Sequence, residues 1–120
     1  MVDKDEQIKA LLIGRAYDLA TKVLGVSDMT KSSYADVFTV TRKEVEDFVR
    51  RNGFPSGSFY QREGYYEGLH CIHEEGNRWR VYWLERGVKY DERTFHNEEA
   101  VIQELISRCL GRTGTGIYFT

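Results

Sequence analysis

The sequence is short of several things, and each shortage closes off a class of protein. Only two of its 120 residues are cysteine, Cys71 and Cys109. Two are too few for a disulfide framework, so reduced thiols in a cytosolic protein are expected. No run of about 18 apolar residues occurs, which argues against a bilayer-spanning helix and against a membrane partner. Charge of one sign is scarce as well. Lys plus Arg number 17 against 19 Asp plus Glu, a formal net charge of −2. A chain held on phosphates by charge neutralisation would show a basic face, so direct contact with nucleic acid is not expected. The start, Met1-Val2-Asp3-Lys4-Asp5-Glu6, is acidic, the reverse of the n-region of a secretory signal. Internal repeats and low-complexity tracts are missing too.

What is there is ordinary globular material. The chain is 41% hydrophobic and 30% charged, enough apolar matter to offset the entropy of ordering it. A length of 120 residues fits one domain, 1–120. Aromatics make up 13%, with eight Tyr, six Phe and two Trp. Tyrosine joins an apolar body to a polar tip, which suits cores, edges and binding surfaces.

Periodicity places the elements. Ile8, Leu11, Leu12, Ala16, Leu19, Ala20, Val23 and Leu24 recur at three- and four-residue spacing and predict one amphipathic helix stopped by Gly25. Residues 26–33 are turn-like, and Tyr34 to Val40 reads as a short strand. Thr41 and Glu44 have capping-box spacing and open a helix that buries Val45, Phe48 and Val49. Asn52-Gly53 and Phe54-Pro55 end it. From Tyr65 the period becomes two, predicting strands at 65–74, 79–84 and 88–95, joined by Glu75-Gly76-Asn77 and Glu85-Arg86-Gly87. Asn97 caps a last helix with an apolar stripe of Val101, Ile102, Leu105, Ile106, Cys109 and Leu110, closed by Gly111. Ile117-Tyr118-Phe119 adds a short edge strand. The expected fold is α+β: an antiparallel β-meander of three to five strands with about three α-helices packed on one face.

Chemistry-bearing groups are present but poorly arranged for catalysis. In His70-Cys71-Ile72-His73 a strand sends His70 and His73 to opposite faces. Cys71 and His73 share a face, but two ligands fall short of the four a structural zinc takes. The same pair as nucleophile and base starts about 6.5–7 Å apart, with nothing nearby to activate a thiolate. Glu67 and Glu85 on neighbouring strands suggest a paired-acid hydrolase, yet carboxylates on a sheet are usually a solvated face. Gly111, Gly114 and Gly116, with Thr113 and Thr115, follow a helix and lack the strand-to-helix setting of a phosphate loop. Arg42, Lys43, Arg50 and Arg51 alternate with Glu44, Glu46 and Asp47, which reads as pairing along a helix surface. No catalytic residue, metal ligand or cofactor is expected.

Aromatic residues exceed what one core needs: Phe59, Tyr60, Tyr65, Tyr66, Tyr82, Trp83 and Tyr90. Exposed Tyr and Trp beside Glu, Asp and Arg have the make-up of a protein interface. Three segments also carry a family pattern. Val40-Thr41-Arg42-Lys43-Glu44-Val45-Glu46-Asp47-Phe48 leads to Asn52-Gly53-Phe54-Pro55; Trp79-Arg80-Val81-Tyr82 precedes Glu85-Arg86-Gly87; and Phe95-x-x-Glu98-x-Ala100 opens the last helix. Over residues 37–110 the chain resembles small immunity proteins encoded beside bacterial polymorphic toxins. The resemblance implies a cytoplasmic, non-enzymatic protein that binds and occludes a cognate toxin domain. On that reading Tyr65, Tyr66 and Tyr90 anchor the toxin, while Glu67, Glu85, Asp91 and Glu92 meet basic residues on it. Trp83 and Arg86 belong to the same surface. The rivals are a regulatory homodimer paired through an exposed edge strand and a small hydrolase or nuclease using His70, Cys71 and His73.

Overall fold

A computed structural model describes residues 2–55, 58, 60–62 and 69–118. They gather into two compact units, residues 1–58 with 108–120 and residues 59–107.

The first unit is helical. Helix α1, Lys4–Leu12, is capped by Asp3, whose carboxylate accepts the N–H groups of Asp5 at 2.7 Å and Glu6 at 3.3 Å. The single helix expected from the apolar stripe is in fact two. Gly14 lies at φ 76, a left-handed conformation that a helix cannot pass through. Helix α2, Ala16–Leu24, restarts after it and stops, as expected, at Gly25. The break re-aims the stripe: Ala16 and Ala20 are buried, while Tyr17 and Val23 are 47% and 43% exposed.

The strand expected at Tyr34 to Val40 is instead a 3-10 turn, Tyr34–Asp36, capped by the Ser33 hydroxyl, followed by residues 37–40 outside any strand. Val37, Phe38 and Val40 are buried all the same. A side chain does the work of a neighbouring strand. Gln7, 1% exposed, accepts the Thr39 N–H at 2.8 Å and donates to the Val2 carbonyl at 3.0 Å. The amide thus pairs a part-buried backbone donor that has no strand partner.

Helix α3, Arg42–Asn52, carries both halves of the capping box. The Glu44 N–H donates to the Thr41 hydroxyl at 3.2 Å, and the Thr41 N–H donates to the Glu44 carboxylate at 3.0 Å. Val45, Phe48 and Val49 are buried, the face its spacing predicts. The Lys4 ammonium reaches the same carboxylate at 2.6 Å and links α1 to α3. Near the C-terminal end, Ile117 and Tyr118 form no strand, and Phe119 lies outside the described residues. Tyr118 instead donates its hydroxyl to the Val40 carbonyl at 2.8 Å.

The second unit holds a four-stranded sheet in the order β1-β2-β3-β4, formed by Tyr60–Arg62, Leu69–Glu75, Arg78–Glu85 and Val88–Phe95. Strands β2, β3 and β4 are the expected antiparallel meander. Strand β1 was not expected; it pairs parallel to β2, with Tyr60 beside His70 and Arg62 beside Ile72. Residues 65–68 of the first predicted strand lie outside the described residues.

Both meander turns are two residues long. Gly76, at φ 61, opens the first; in the second Arg86 and Gly87 are both left-handed, at φ 52 and 73. Positive φ at both positions is the type I′ pattern, whose twist matches that of the strands it joins. Helix α4, Glu98–Gly111, is capped by the Asn97 side chain, which accepts the Ala100 N–H at 2.8 Å. Val101, Leu105, Ile106, Cys109 and Leu110 are its buried residues, and Ile102 is only partly covered. The chain is therefore α+β, with four α-helices among the described residues in place of about three, because Gly14 divides the first.

Candidate interaction surface on the outer hairpin

Register decides which side chains meet across the meander. His70, Trp83 and Tyr90 stand abreast on β2, β3 and β4, and partners in register share a sheet face. Ile72, Val81 and Arg93 form the next row on that face, and Glu74, Trp79 and Phe95 the third. The Arg93 guanidinium meets the Glu104 carboxylate at 3.0 Å and lies over the Phe95 ring, which ties α4 to the same face. The opposite face carries Cys71 with Tyr82, and His73 with Arg80. Lys89, in register with Leu84, holds its ammonium 4.7 Å from the centre of the Tyr82 ring.

The hairpin formed by β3 and β4 contains six of the nine residues expected at an interface. Tyr90 is 49% exposed, and Glu85, Arg86, Asp91 and Glu92 are exposed. Trp83 is half-buried, because His70 packs edge-on against it with ring centres 4.8 Å apart. The other three, Tyr65, Tyr66 and Glu67, lie outside the described residues. Two further contributors had no local signal. Val88, 49% exposed, sits across from Glu85 and beside the Trp83–Tyr90 pair. Its neighbour Lys89 is also exposed. The turn is Arg86-Gly87 alone, one residue shorter than the expected Glu85-Arg86-Gly87, which makes Glu85 and Val88 the closing pair.

β4 is one of the two outer strands of the sheet, and every residue from Val88 to Thr94 is exposed. A bulge interrupts it. Val81 faces Arg93 and Trp83 faces Tyr90, so Tyr82 faces both Asp91 and Glu92. Asp91 takes the strain at φ 54; aspartate tolerates the left-handed region better than most residues. Such a bulge twists an edge and ends regular pairing. Glu85, Arg86 and Glu92 make no ion pair among the described residues. The surface thus presents half-exposed apolar side chains, unneutralised carboxylates and a backbone edge.

The rival sites look different. Cys71 is fully buried and His70 is 5% exposed. His73 shares a face with Cys71 and lies near Glu75, at 4.0 Å. Among the described residues no three His, Cys, Asp or Glu groups gather as metal ligands. Burial pushes the Cys109 thiol up to about 11, opposite to the shift a nucleophilic cysteine needs. Along α3, Arg42 pairs with Glu46 at 3.3 Å and Arg50 with Asp47 at 3.5 Å, the helix-surface pairing expected of interleaved charges. The Thr113 hydroxyl donates to the Leu110 carbonyl at 3.1 Å and lies 2.9 Å from the Thr115 hydroxyl. A shallow cavity of about 340 Å³ lies between α1 and α2, lined by Ala10, Ile13 and Leu19 with Lys9 and Lys22 at its rim.

Among the described residues no helix is long and apolar enough to cross a membrane. Comparison with protein-family models, with curated proteins and with solved structures finds no match, so no role is carried to this chain from a relative.

Proposed function

We propose that the chain is a cytoplasmic immunity protein that neutralises a cognate bacterial toxin domain by binding it through the β3–β4 hairpin. The observation that carries the reading is the exposure of β4. An eight-residue outer strand leaves Val88 and Tyr90 half-exposed beside Trp83, within a rim of Glu85, Asp91 and Glu92. The Asp91 bulge and Lys89 blunt part of this edge, but half-exposed apolar side chains remain on it, and they add to what a partner gains by covering it. Rigid aromatic anchors inside a charged rim are the make-up of binding hot spots. The resemblance of residues 37–110 to toxin-immunity proteins supplies the kind of partner.

The mechanism is occlusion. A hairpin seated in the toxin's cleft blocks substrate by its volume and needs no chemistry of its own. Carboxylates in the rim speed encounter with a toxin whose cleft is basic, an effect that weakens as salt rises. Co-expression with the gene product encoded immediately upstream tests the reading. The expected result is a co-purifying complex and rescued growth, and a neighbour that is neither toxic nor bound refutes it.

A further inference from the structure

The way β4 ends its pairing with β3 says more than that the strand is exposed. A two-residue turn makes Glu85 and Val88 a hydrogen-bonded pair, and the pattern alternates from there. Leu84 and Lys89 are next in register and therefore form a non-hydrogen-bonded pair, and Trp83 with Tyr90 is hydrogen-bonded again. The Lys89 N–H and C=O consequently point away from β3, outward from the sheet. Among the described residues no hydrogen bond joins Lys89 to an element other than the sheet, and its side chain turns inward over Tyr82. Beyond Tyr90 the left-handed Asp91 breaks the regular ladder. Three residues, Val88 to Tyr90, thus offer one outward donor and one outward acceptor on a regular edge.

We infer that the toxin is held by strand addition: an extended segment of it pairs with β4 through the Lys89 backbone, and the Asp91 bulge sets where that pairing stops. This rests on the immunity reading above. Side-chain chemistry selects the segment. Its residue opposite Lys89 carries a carboxylate, which meets the ammonium above Tyr82. The residues on either side are apolar and meet Val88 and Tyr90 on the other face, beside Trp83. A second copy of this chain is the poorer occupant. The short regular stretch centres any self-pairing on Lys89, and a two-fold axis there sets Lys89 opposite its own counterpart, a like-charge pairing that destabilises strands. Lys89 thus admits a foreign strand while opposing a twin.

Proline at 89 separates backbone from side-chain recognition. Its missing N–H is the outward one, so the ladder to β3 keeps its bonds, and outer strands accept proline at such positions. In the co-expressed complex, Lys89→Pro is expected to weaken toxin binding at least hundredfold by calorimetry, and Lys89→Ala by less than tenfold. Amide exchange on the wild-type complex reads the same bond without mutation: the Lys89 N–H is expected to slow at least hundredfold on binding. That measurement decides the matter if Lys89→Pro fails to fold. A complex in which the Lys89 amide exchanges as fast as in the free protein overturns strand addition. So does Lys89→Pro binding like wild type, or Lys89→Ala losing as much as Lys89→Pro. In each of those cases the immunity reading stands. A wild-type protein that does not bind the toxin removes both.

Discussion

The helical unit and the outer hairpin dispose of their polar groups in opposite ways. Three N-terminal ends in the helical unit are closed by nearby side chains: Asp3 on α1, Ser33 on the 3-10 turn, and Thr41 with Glu44 on α3, while α2, which starts after Arg15, has no such cap. Even the buried Gln7 is bonded on both sides of its amide. The hairpin does the reverse. Its outer strand leaves backbone groups facing solvent, holds two non-glycine residues at positive φ and exposes Val88 and Tyr90. Groups closed internally add to the stability of the free chain, whereas groups left open can gain only from something bound. Helical stability and hairpin recognition are therefore expected to respond to different mutations.

The largest effects should fall inside the molecule and leave recognition alone. Leu12 and Leu105 are at most 1% exposed, and truncating a buried leucine to alanine costs about 3–5 kcal/mol. Leu12→Ala is expected to lower the denaturant midpoint by that much, with toxin affinity unchanged under conditions where the variant is folded. Tyr90→Ala, at a half-exposed site, should shift stability by no more than about 0.5 kcal/mol. Its affinity loss should be about 2 kcal/mol, the scale of an interfacial hot spot. Equal stability losses for the two variants, or an unchanged affinity for Tyr90→Ala, would erase the contrast.

A middle-sized effect is expected at Gln7. Leucine there keeps the volume but removes the acceptor of the part-buried Thr39 N–H, a loss of about 1 kcal/mol. Denaturant unfolding should show it, with amide exchange at Thr39 accelerated more than at Val45. The turn of the hairpin gives a number of similar size. Gly87 sits at φ 73 with open space where a Cβ would go, so Gly87→Ala meets no clash. Only the left-handed backbone resists it, at about 1–2 kcal/mol, measurable as a lowered midpoint with a normal spectrum.

These contrasts also explain which features are legible in the sequence. The helix α3, its capping box and strands β3 and β4 follow local rules, and their bounds fell within a residue or so of those expected. Other features depend on partners distant in sequence. Val37, Phe38 and Val40 alternate like a strand, but Gln7, 32 residues before Thr39, takes the donor a strand would have shared. Three residues of β1 carry no period, and their parallel partner lies beyond an intervening stretch. Gly14 interrupts a stripe whose apolar spacing continues across it, so periodicity alone joins two helices into one. At the candidate surface Glu85, Arg86, Tyr90, Asp91 and Glu92 were legible from residue type. That β4 is an outer strand of the sheet, and that Lys89 directs its backbone outward, follows only from strand order and register.

The smallest effect tests whether the surface links of the helical unit matter at all. Lys4 hydrogen-bonds Glu44, and with the Thr41 N–H it holds the Glu44 carboxyl below its usual range. The folded chain therefore keeps this carboxylate ionised at pH values where the unfolded chain has begun to take up protons. The sign follows from that difference: the stabilisation is present above the ordinary carboxylate value of 4.5 and is lost as pH falls through the lower folded value. Exposure limits its size, because water and salt screen an open pair. Removing the ammonium with Lys4→Met should therefore flatten the acid limb of the stability curve slightly and change little at neutral pH. In 1 M salt (Debye length about 3 Å) the difference from wild type should vanish. Glu44→Ala should cost more than Lys4→Met, because it also removes the acceptor of the Thr41 N–H and half of the capping box. If Lys4→Met proves the more damaging, the link between α1 and α3 outweighs the cap, and stability in this unit comes from contacts between helices as much as from the closing of their ends.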